Sequence, residues 1–191
     1  SENGETTYVD VTKEAGLELE GVVKSAAFAD LDNDGDRDLA LLRFVVGQQT
    51  QGKNDPGDFV AYENNGDGTF TRKLNVLPKR RSYDRAMPLT MGDFDNDGNV
   101  DIYIGFPGIR DFTSGISNRA RPDWLASQGI WFNQGSWNFE EASDGASVIQ
   151  DNSVYAHAAV ASDVDADGKI DLLVVDDSGR INPIYRNLGD G

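Results

Sequence analysis

Aspartate residues recur in this chain at a spacing that is suited to holding a hard cation. The pattern D-x-D-x-D-G-x-x-D appears three times, as DLDNDGDRD from Asp30, DFDNDGNVD from Asp93 and DVDADGKID from Asp163. Each copy has carboxylates at loop positions 1, 3, 5 and 9, and a glycine at position 6, where the backbone must turn sharply around an ion. Oxygen ligands on a flexible loop suit Ca²⁺ rather than Zn²⁺ or copper. The sequence therefore predicts about three calcium sites, one in each repeat.

The predicted ligands fall into two classes. Four aspartate side chains in each loop are expected to bind the ion directly: Asp30, Asp32, Asp34 and Asp38; Asp93, Asp95, Asp97 and Asp101; Asp163, Asp165, Asp167 and Asp171. Position 7 is expected to offer only its backbone oxygen, from Asp36, Asn99 and Lys169. The residue type varies at position 7 while the other four positions stay aspartate, which favours this interpretation. Three bound Ca²⁺ would change the formal net charge from −16 to −10.

Two other interpretations of these loops are weaker. An EF-hand would have a bidentate glutamate at position 12 and flanking helices. This chain has Leu41, Ile104 and Val174 at position 12, and apolar β-type runs flank the loops. A single Asp-Gly cluster would be an ordinary surface turn, but three copies with the same four aspartates and the same following strand make coincidence a poor explanation.

The three loops belong to a longer repeat that favours β-structure. The loop starts lie 63 and then 70 residues apart. A strand is expected before each loop, at 26–29, 89–92 and 158–161, and another after it. A hairpin around a glycine-rich turn follows at 61–70, 130–139 and 183–191. About four strands per repeat is the number in a propeller blade, so the sequence predicts an all-β protein of about three β-propeller-type blades.

The predicted organisation is a single domain over residues 1–191. Its repeats are expected at about 8–77, about 78–146 and about 147–191, with the last hairpin divided between the two ends of the chain. Residues 6–12 (TTYVDVT) match the second half of a hairpin whose full form is GTFTRKL, and NLGDG at the other end matches the first half. Three blades are fewer than the roughly four to eight that close a ring. The chain is therefore either part of a longer propeller or a subunit that joins others head to tail.

The composition restricts partners and compartment. Asp and Glu outnumber Lys and Arg by 33 to 17, which argues against nucleic acid or an anionic membrane as partner. The absence of cysteine excludes disulfides and zinc–thiolate sites. No run approaches the roughly eighteen apolar residues of a membrane span, so membrane insertion is not expected. Extracellular calcium modules bind at about 10⁻⁴–10⁻³ M, so we expect an extracellular, cell-surface or periplasmic protein whose signal peptide has been removed.

No catalytic apparatus is visible in the sequence, and the chain is not expected to be an enzyme. His157 is the only histidine, and no nucleophile motif or phosphate loop accompanies it. The segment 109–128 concentrates arginines, Phe112 and Trp124, and is either a ligand-contacting loop or a loop folded against its own blade. The basic segment 77–85 is interpreted as a solvated connection.

The aspartate loops, the NNGDGTF hairpin and the opening YVDVTKEAGL together resemble the FG-GAP/VCBS repeats of integrin α-subunit propellers. The resemblance is closer to their bacterial relatives in the cartilage-acidic-protein-like (ASPIC/UnbV) group. It implies calcium-containing blades of an extracellular propeller, commonly seven, used for adhesion and binding rather than catalysis. This chain departs from the pattern by having only three repeats and by its second hairpin, NQGSWNF, which lacks GDG.

These observations favour a calcium-binding structural or adhesion module whose partner is another protein or a second copy of itself. Two alternatives remain at the level of sequence. One is a carbohydrate-binding, lectin-like propeller with a glycan as ligand, and the other is a fragment of a larger receptor or adhesin propeller.

Overall fold

A computed structural model describes residues 6–44, 58–77, 86–105, 128–142, 156–176 and 181–189. These residues form eleven β-strands in three antiparallel sheets. The first sheet contains β1 (Val22–Ala29), β2 (Asp38–Phe44), β3 (Asp58–Asn64) and β4 (Phe70–Lys73). The second contains β5 (Leu89–Gly92), β6 (Asp101–Gly105), β7 (Gln128–Asn133) and β8 (Phe139–Glu141). The third contains β9 (Ala156–Ser162), β10 (Asp171–Asp176) and β11 (Ile184–Tyr185).

Neighbouring strands in each sheet follow one another in sequence. The first and second sheets have the orders β1-β2-β3-β4 and β5-β6-β7-β8, and the third pairs β9 with β10 and β10 with β11. Contacts between β1 and β5, and between β5 and β9, place the first strands of the three sheets side by side. Successive antiparallel meanders of three or four strands packed in this way are propeller-type blades. The predicted all-β class with propeller-type blades is therefore confirmed.

The core lies between the sheets because the strands alternate their side chains between two faces. On β2, Ala40 and Leu42 pack with Ile102, Ile104 and the other residues of the cluster that joins the first sheet to the second. A second cluster joins the second sheet to the third, and includes Tyr103, Ile130, Ala156, Leu172 and Val174. On its other face the first sheet buries Leu39, Leu41, Val60 and Tyr62, against which Leu17 and Leu19 pack.

The predicted strands before the loops agree with the structure. Strand β5 has the expected bounds, whereas β1 and β9 extend beyond theirs. Residues 12–16 form a hydrogen-bonded turn, in which the N–H of Ala15 donates to the carbonyl of Val11. Among the described residues there is no helix of the length and apolar character needed to cross a membrane.

Candidate metal sites

Each aspartate loop connects the first strand of a sheet to the second. We call residues 30–38, 93–101 and 163–171 the first, second and third loops. The aspartate at position 9 is also the first residue of β2, β6 or β10, so the second strand of each sheet fixes one end of each loop. Because the three sheets pack side by side, the three loops occupy equivalent places in successive blades.

The structure brings together three aspartates in each loop, those at positions 1, 3 and 9. In each triad, one carboxylate oxygen from every member lies within 4.8 Å of the others, an arrangement that could hold a metal ion. The triads are Asp30, Asp32 and Asp38; Asp93, Asp95 and Asp101; and Asp163, Asp165 and Asp171. The member at position 9 is buried in every case. One triad per repeat agrees with the number of sites expected from the sequence.

The aspartate at position 1 is held by the backbone of its own loop. Asp30 accepts hydrogen bonds from the N–H groups of Asp34, at 3.2 Å, and Gly35, at 3.0 Å. The same two bonds recur in the second and third loops. Gly35 has a φ of 97°, in the region that glycine adopts without steric cost. The glycine at position 6 therefore allows two amides to point at one carboxylate.

The aspartate at position 9 is held by two backbone amides from different parts of its blade. Asp38 accepts from the N–H of Leu31 at 2.8 Å and from the N–H of Asn64 at 2.9 Å. Asp101 and Asp171 accept the equivalent bonds. Each buried carboxylate thus joins its loop to the third strand or to the residues that follow it. Carboxylate oxygens have about two acceptor sites each, so these bonds leave room for a cation.

The aspartates at position 5 lie outside the triads. Oδ1 of Asp34 instead accepts a 2.8 Å hydrogen bond from the N–H of Asp36 at position 7, and Asp97 and Asp167 do the same for Asn99 and Lys169. In the structure, the aspartate at position 5 therefore holds the backbone of position 7 in the turn. Ligation by position 5 and by the carbonyl of position 7 remains a prediction from the sequence.

One oxygen in the first triad has no hydrogen-bond partner. Oδ1 of Asp32 is buried and unpartnered, whereas its Oδ2 accepts a 2.9 Å hydrogen bond from the indole N–H of Trp137. An unpartnered buried carboxylate oxygen is costly unless something positive approaches it. Three carboxylates at this spacing, one with a free buried oxygen, fit a hard divalent cation of the kind that binds oxygen ligands.

Burial raises the pKa of some triad members, and the neighbouring carboxylates add to the effect. Burial raises the pKa of Asp101 to about 6, and the nearby carboxylates of Asp95 and Asp93 add to the effect. Burial also raises the pKa of Asp38 and of Asp95. Both causes, loss of solvent and nearby negative charge, would be offset by a bound cation. The pKa of Asp167 is lowered instead, mainly by its hydrogen bond from the backbone of Lys169.

In the second and third sheets, an asparagine that the sequence did not single out bonds to the loop of the preceding blade. Nδ2 of Asn133 donates to the carbonyl oxygen of Leu31 in the first loop, at 2.9 Å, and to that of Val100 in its own loop, at 3.1 Å. Asn187 repeats the arrangement in the third sheet, with a 2.7 Å bond to the carbonyl of Phe94. The signal in the sequence was the N-x-G that all three hairpins share.

Among the described residues, the candidate His157 lies outside the triads. His157 is exposed on β9. The arginine- and aromatic-rich segment 109–128 lies outside the described residues except for residue 128, and the basic segment 77–85 lies outside them except for Leu77. The carbohydrate-binding interpretation remains a prediction from the sequence.

Comparison with known proteins identifies one repeat directly. The family model of the FG-GAP-like repeat matches residues 44–104, about a third of the chain. The matched region runs from the end of β2 through the second loop to β6. Among curated proteins, no significant match to the chain was found. The specific likeness to the ASPIC/UnbV group therefore remains a prediction.

Proposed function

We propose that this FG-GAP-like repeat protein is a non-enzymatic calcium-binding structural or adhesion module that works outside the cytosol. The observation that carries the proposal is the recurrence of one carboxylate triad at the same place in three packed sheets. Carboxylate oxygens on a turn that begins with aspartate and bends at glycine suit Ca²⁺, which accepts flexible oxygen coordination better than Mg²⁺ does.

The bound ion would order the blade around it. Each triad combines two loop residues with the first residue of the sheet's second strand, so an ion that binds all three ties β1 to β2, β5 to β6 or β9 to β10. Neighbouring loops also contact each other. The side-chain amide of Asn33 donates to Oδ1 of Asn99, and that of Asn96 donates to the carbonyl of Gly168 at 3.4 Å. Metal binding and blade packing are therefore expected to stabilise each other.

The proposed location follows from the affinity of such sites. Calcium modules of extracellular proteins bind at about 10⁻⁴–10⁻³ M, and the cytosol does not supply free Ca²⁺ at that level. An extracellular, cell-surface or periplasmic protein would hold its loops occupied. The strongly acidic net charge of −16 is also best tolerated where divalent cations are abundant.

Calorimetric titration with Ca²⁺ and thermal unfolding in Ca²⁺, Mg²⁺ or EDTA would test the proposal. We expect about three bound Ca²⁺, weaker binding of Mg²⁺, and a rise in Tm with Ca²⁺. At 100 times Kd, each independent site would add about 2.7 kcal/mol of stability. Asp32→Ala should remove one bound ion, whereas Asp10→Asn, which changes an exposed aspartate outside the triads, should remove none. A chain that binds no Ca²⁺ at millimolar concentration would contradict the proposal.

Self-association is a second proposed property, favoured by exposed β-structure in the third sheet. That sheet has three strands among the described residues; Val160 on β9 and Ile184 on β11 are exposed, and so are Val164 in the third loop and Leu188 after β11. Tyr8 and Val9 are 92% and 79% exposed, and their segment matches β4 in sequence. We propose that this segment of one copy adds to the β11 edge of another by strand addition.

Light scattering after size exclusion, in Ca²⁺ and in EDTA, would test self-association. Assemblies that form in Ca²⁺ and are lost in Val9→Pro, which cannot donate in a strand, would support it. A monomer at high protein concentration in Ca²⁺ would refute it without affecting the calcium proposal.

A further inference from the structure

Two basic side chains form ion pairs with the aspartates of the third loop. Nη2 of Arg186 lies 2.6 Å from Oδ2 of Asp165 and 3.4 Å from Oδ2 of Asp167. Nζ of Lys169 lies 3.3 Å from the same oxygen of Asp167. Asp165 belongs to the third triad, so a basic side chain already neutralises one of the carboxylates that would bind the ion.

The equivalent positions of the other blades carry no such charge. Arg186 directly precedes the asparagine of the N-x-G hairpin, where the first and second blades have Glu63 and Phe132. Lys169 occupies position 7, where the first and second loops have Asp36 and Asn99. Over the nine loop residues the formal charge is −4 in the first and second loops and −3 in the third, and Arg186 adds a positive charge beside the third. Calcium affinity depends on the number of charged ligands in the loop, so the three sites are not expected to bind equally.

The backbone of the third loop is also less well suited to its turn. Position 4 has a left-handed φ in all three loops, 64° at Asn33, 65° at Asn96 and 61° at Ala166. Asparagine tolerates this region, whereas a residue such as alanine pays a steric cost there. Ala166 also lacks the amide through which Asn33 and Asn96 reach the next loop.

We propose that Arg186 is a tethered counter-cation of the third loop, and that it makes the third site the weakest calcium site and the last to fill. The proposal rests on the calcium function proposed above. Ca²⁺ must compete with the guanidinium of Arg186 for Oδ2 of Asp165. It must then bind close to the positive charge of Lys169, which repels it. The first and second sites meet no such competition from the basic residues described. The third site therefore fills after the other two, and Arg186 sets the calcium concentration at which it fills.

Calcium titration of the full chain at low ionic strength, followed by calorimetry, would test this inference. We expect two tighter steps and one weaker step. Asp165→Ala should abolish the weakest step, whereas Asp95→Ala should abolish a tighter one. Arg186→Gln should lower the Kd of the weakest step by about three- to tenfold, the effect of removing one charge near a divalent ion at the protein surface. The gain should shrink in about 0.5 M salt, because exposed charges are screened.

Matched variants separate the local effect from the change in net charge. Lys13→Gln removes one positive charge from an exposed residue in the turn at 12–16 and should leave all three steps unchanged. Lys169→Asn introduces the residue of the second loop and should also tighten the weakest step. This second variant keeps the test decisive if Arg186→Gln folds poorly, as circular dichroism in EDTA would show.

The outcomes distinguish this inference from the proposed function. Three equal steps, or a weakest step that neither Arg186→Gln nor Lys169→Asn tightens, would overturn the inference and leave calcium binding intact. The inference would also be overturned, with calcium binding intact, if the weakest step were lost in Asp32→Ala and kept in Asp165→Ala. Absence of any calcium binding would overturn both.

Discussion

The indole N–H of Trp137 donates a 2.9 Å hydrogen bond to Oδ2 of Asp32, which lies 105 positions earlier in the chain and in a different blade. Nζ of Lys73 lies 5.3 Å from the centre of the same indole ring, so the ring is also a cation–π partner. The second hairpin, NQGSWNF, lacks the GDG found in the first. Its tryptophan instead orients an aspartate of the first triad and leaves the other oxygen of that aspartate available.

Trp137 should report calcium binding at the first loop. An ion on Asp32 would change the charge on the acceptor of the indole hydrogen bond, and indole emission is sensitive to such a change. We expect a change in tryptophan fluorescence on calcium titration that is largely lost in Trp137→Phe and in Asp32→Ala. Asp165→Ala, in the third triad, should retain it. An unchanged signal in Trp137→Phe would place the responding tryptophan elsewhere.

The asparagine that joins neighbouring blades should contribute strongly to stability. Asn133 is 1% exposed and donates to the carbonyls of Leu31 and Val100. Asn133→Ala would leave buried carbonyl oxygens without donors, at about 1–3 kcal/mol for each group left unpaired. Urea unfolding in EDTA would measure the loss.

Asn64, the equivalent asparagine in the first blade, is the matched control for Asn133→Ala. The amide of Asn64 donates to the carbonyl of Arg37 in its own loop, in an exposed bond of 3.1 Å. Asn64→Ala should therefore cost less than Asn133→Ala. Equal costs would show that the bond between blades is not what stabilises the packing.

The strands and loops were predictable because their signals are local. Alternating apolar residues and an Asp-Gly turn specify a strand, a loop and a strand within about fifteen residues, and the predicted strand at 89–92 has the observed bounds. The contacts of Trp137, Asn133 and Arg186 were not predictable, because they join residues from different strands or blades. Their side chains meet the loops only after the sheets have packed.

Position 5 of the loops illustrates a second limit of the sequence. The motif gives four aspartates the same apparent role; three of them form the triad, and ligation by the fourth stays a prediction. Asp34 bonds the amide two residues later, as aspartate commonly does in turns. Residue type and spacing therefore indicated oxygen chemistry, while the backbone geometry decides which oxygens converge.

The left-handed residue of the third loop should be a point of strain that substitution can relieve. Ala166 has a φ of 61°, in a region that asparagine tolerates better. Ala166→Asn is expected to raise the free energy of unfolding in EDTA by about 0.5–1 kcal/mol. The reverse change in the first loop, Asn33→Ala, should lower it, because it adds the same strain and removes the bond to Asn99. A loss of stability in Ala166→Asn would contradict the strain argument.

The buried aspartate of the second loop should make the metal-free protein less stable as pH rises. Burial raises the pKa of Asp101 in the folded chain to about 6, from an ordinary value of 3.8. The folded state therefore holds this proton more tightly than the unfolded state does. Its contribution to stability is fully present below pH 3.8 and is lost as pH rises through about 6. In EDTA, the Tm of the wild type should fall across this window more steeply than that of Asp101→Asn, which has no proton to lose.

Calcium should reverse the sign of that dependence. The ion binds the ionised carboxylate, so calcium affinity at the second loop should fall as pH drops below about 6, where Asp101 takes up its proton. With Ca²⁺ in excess, the protein should therefore become more stable as pH rises through the range in which the metal-free form becomes less stable. Thermal unfolding at matched pH values, with Ca²⁺ and with EDTA, would measure the two slopes. Parallel slopes would mean that calcium binding is not coupled to ionisation of the triad carboxylates whose pKa burial raises.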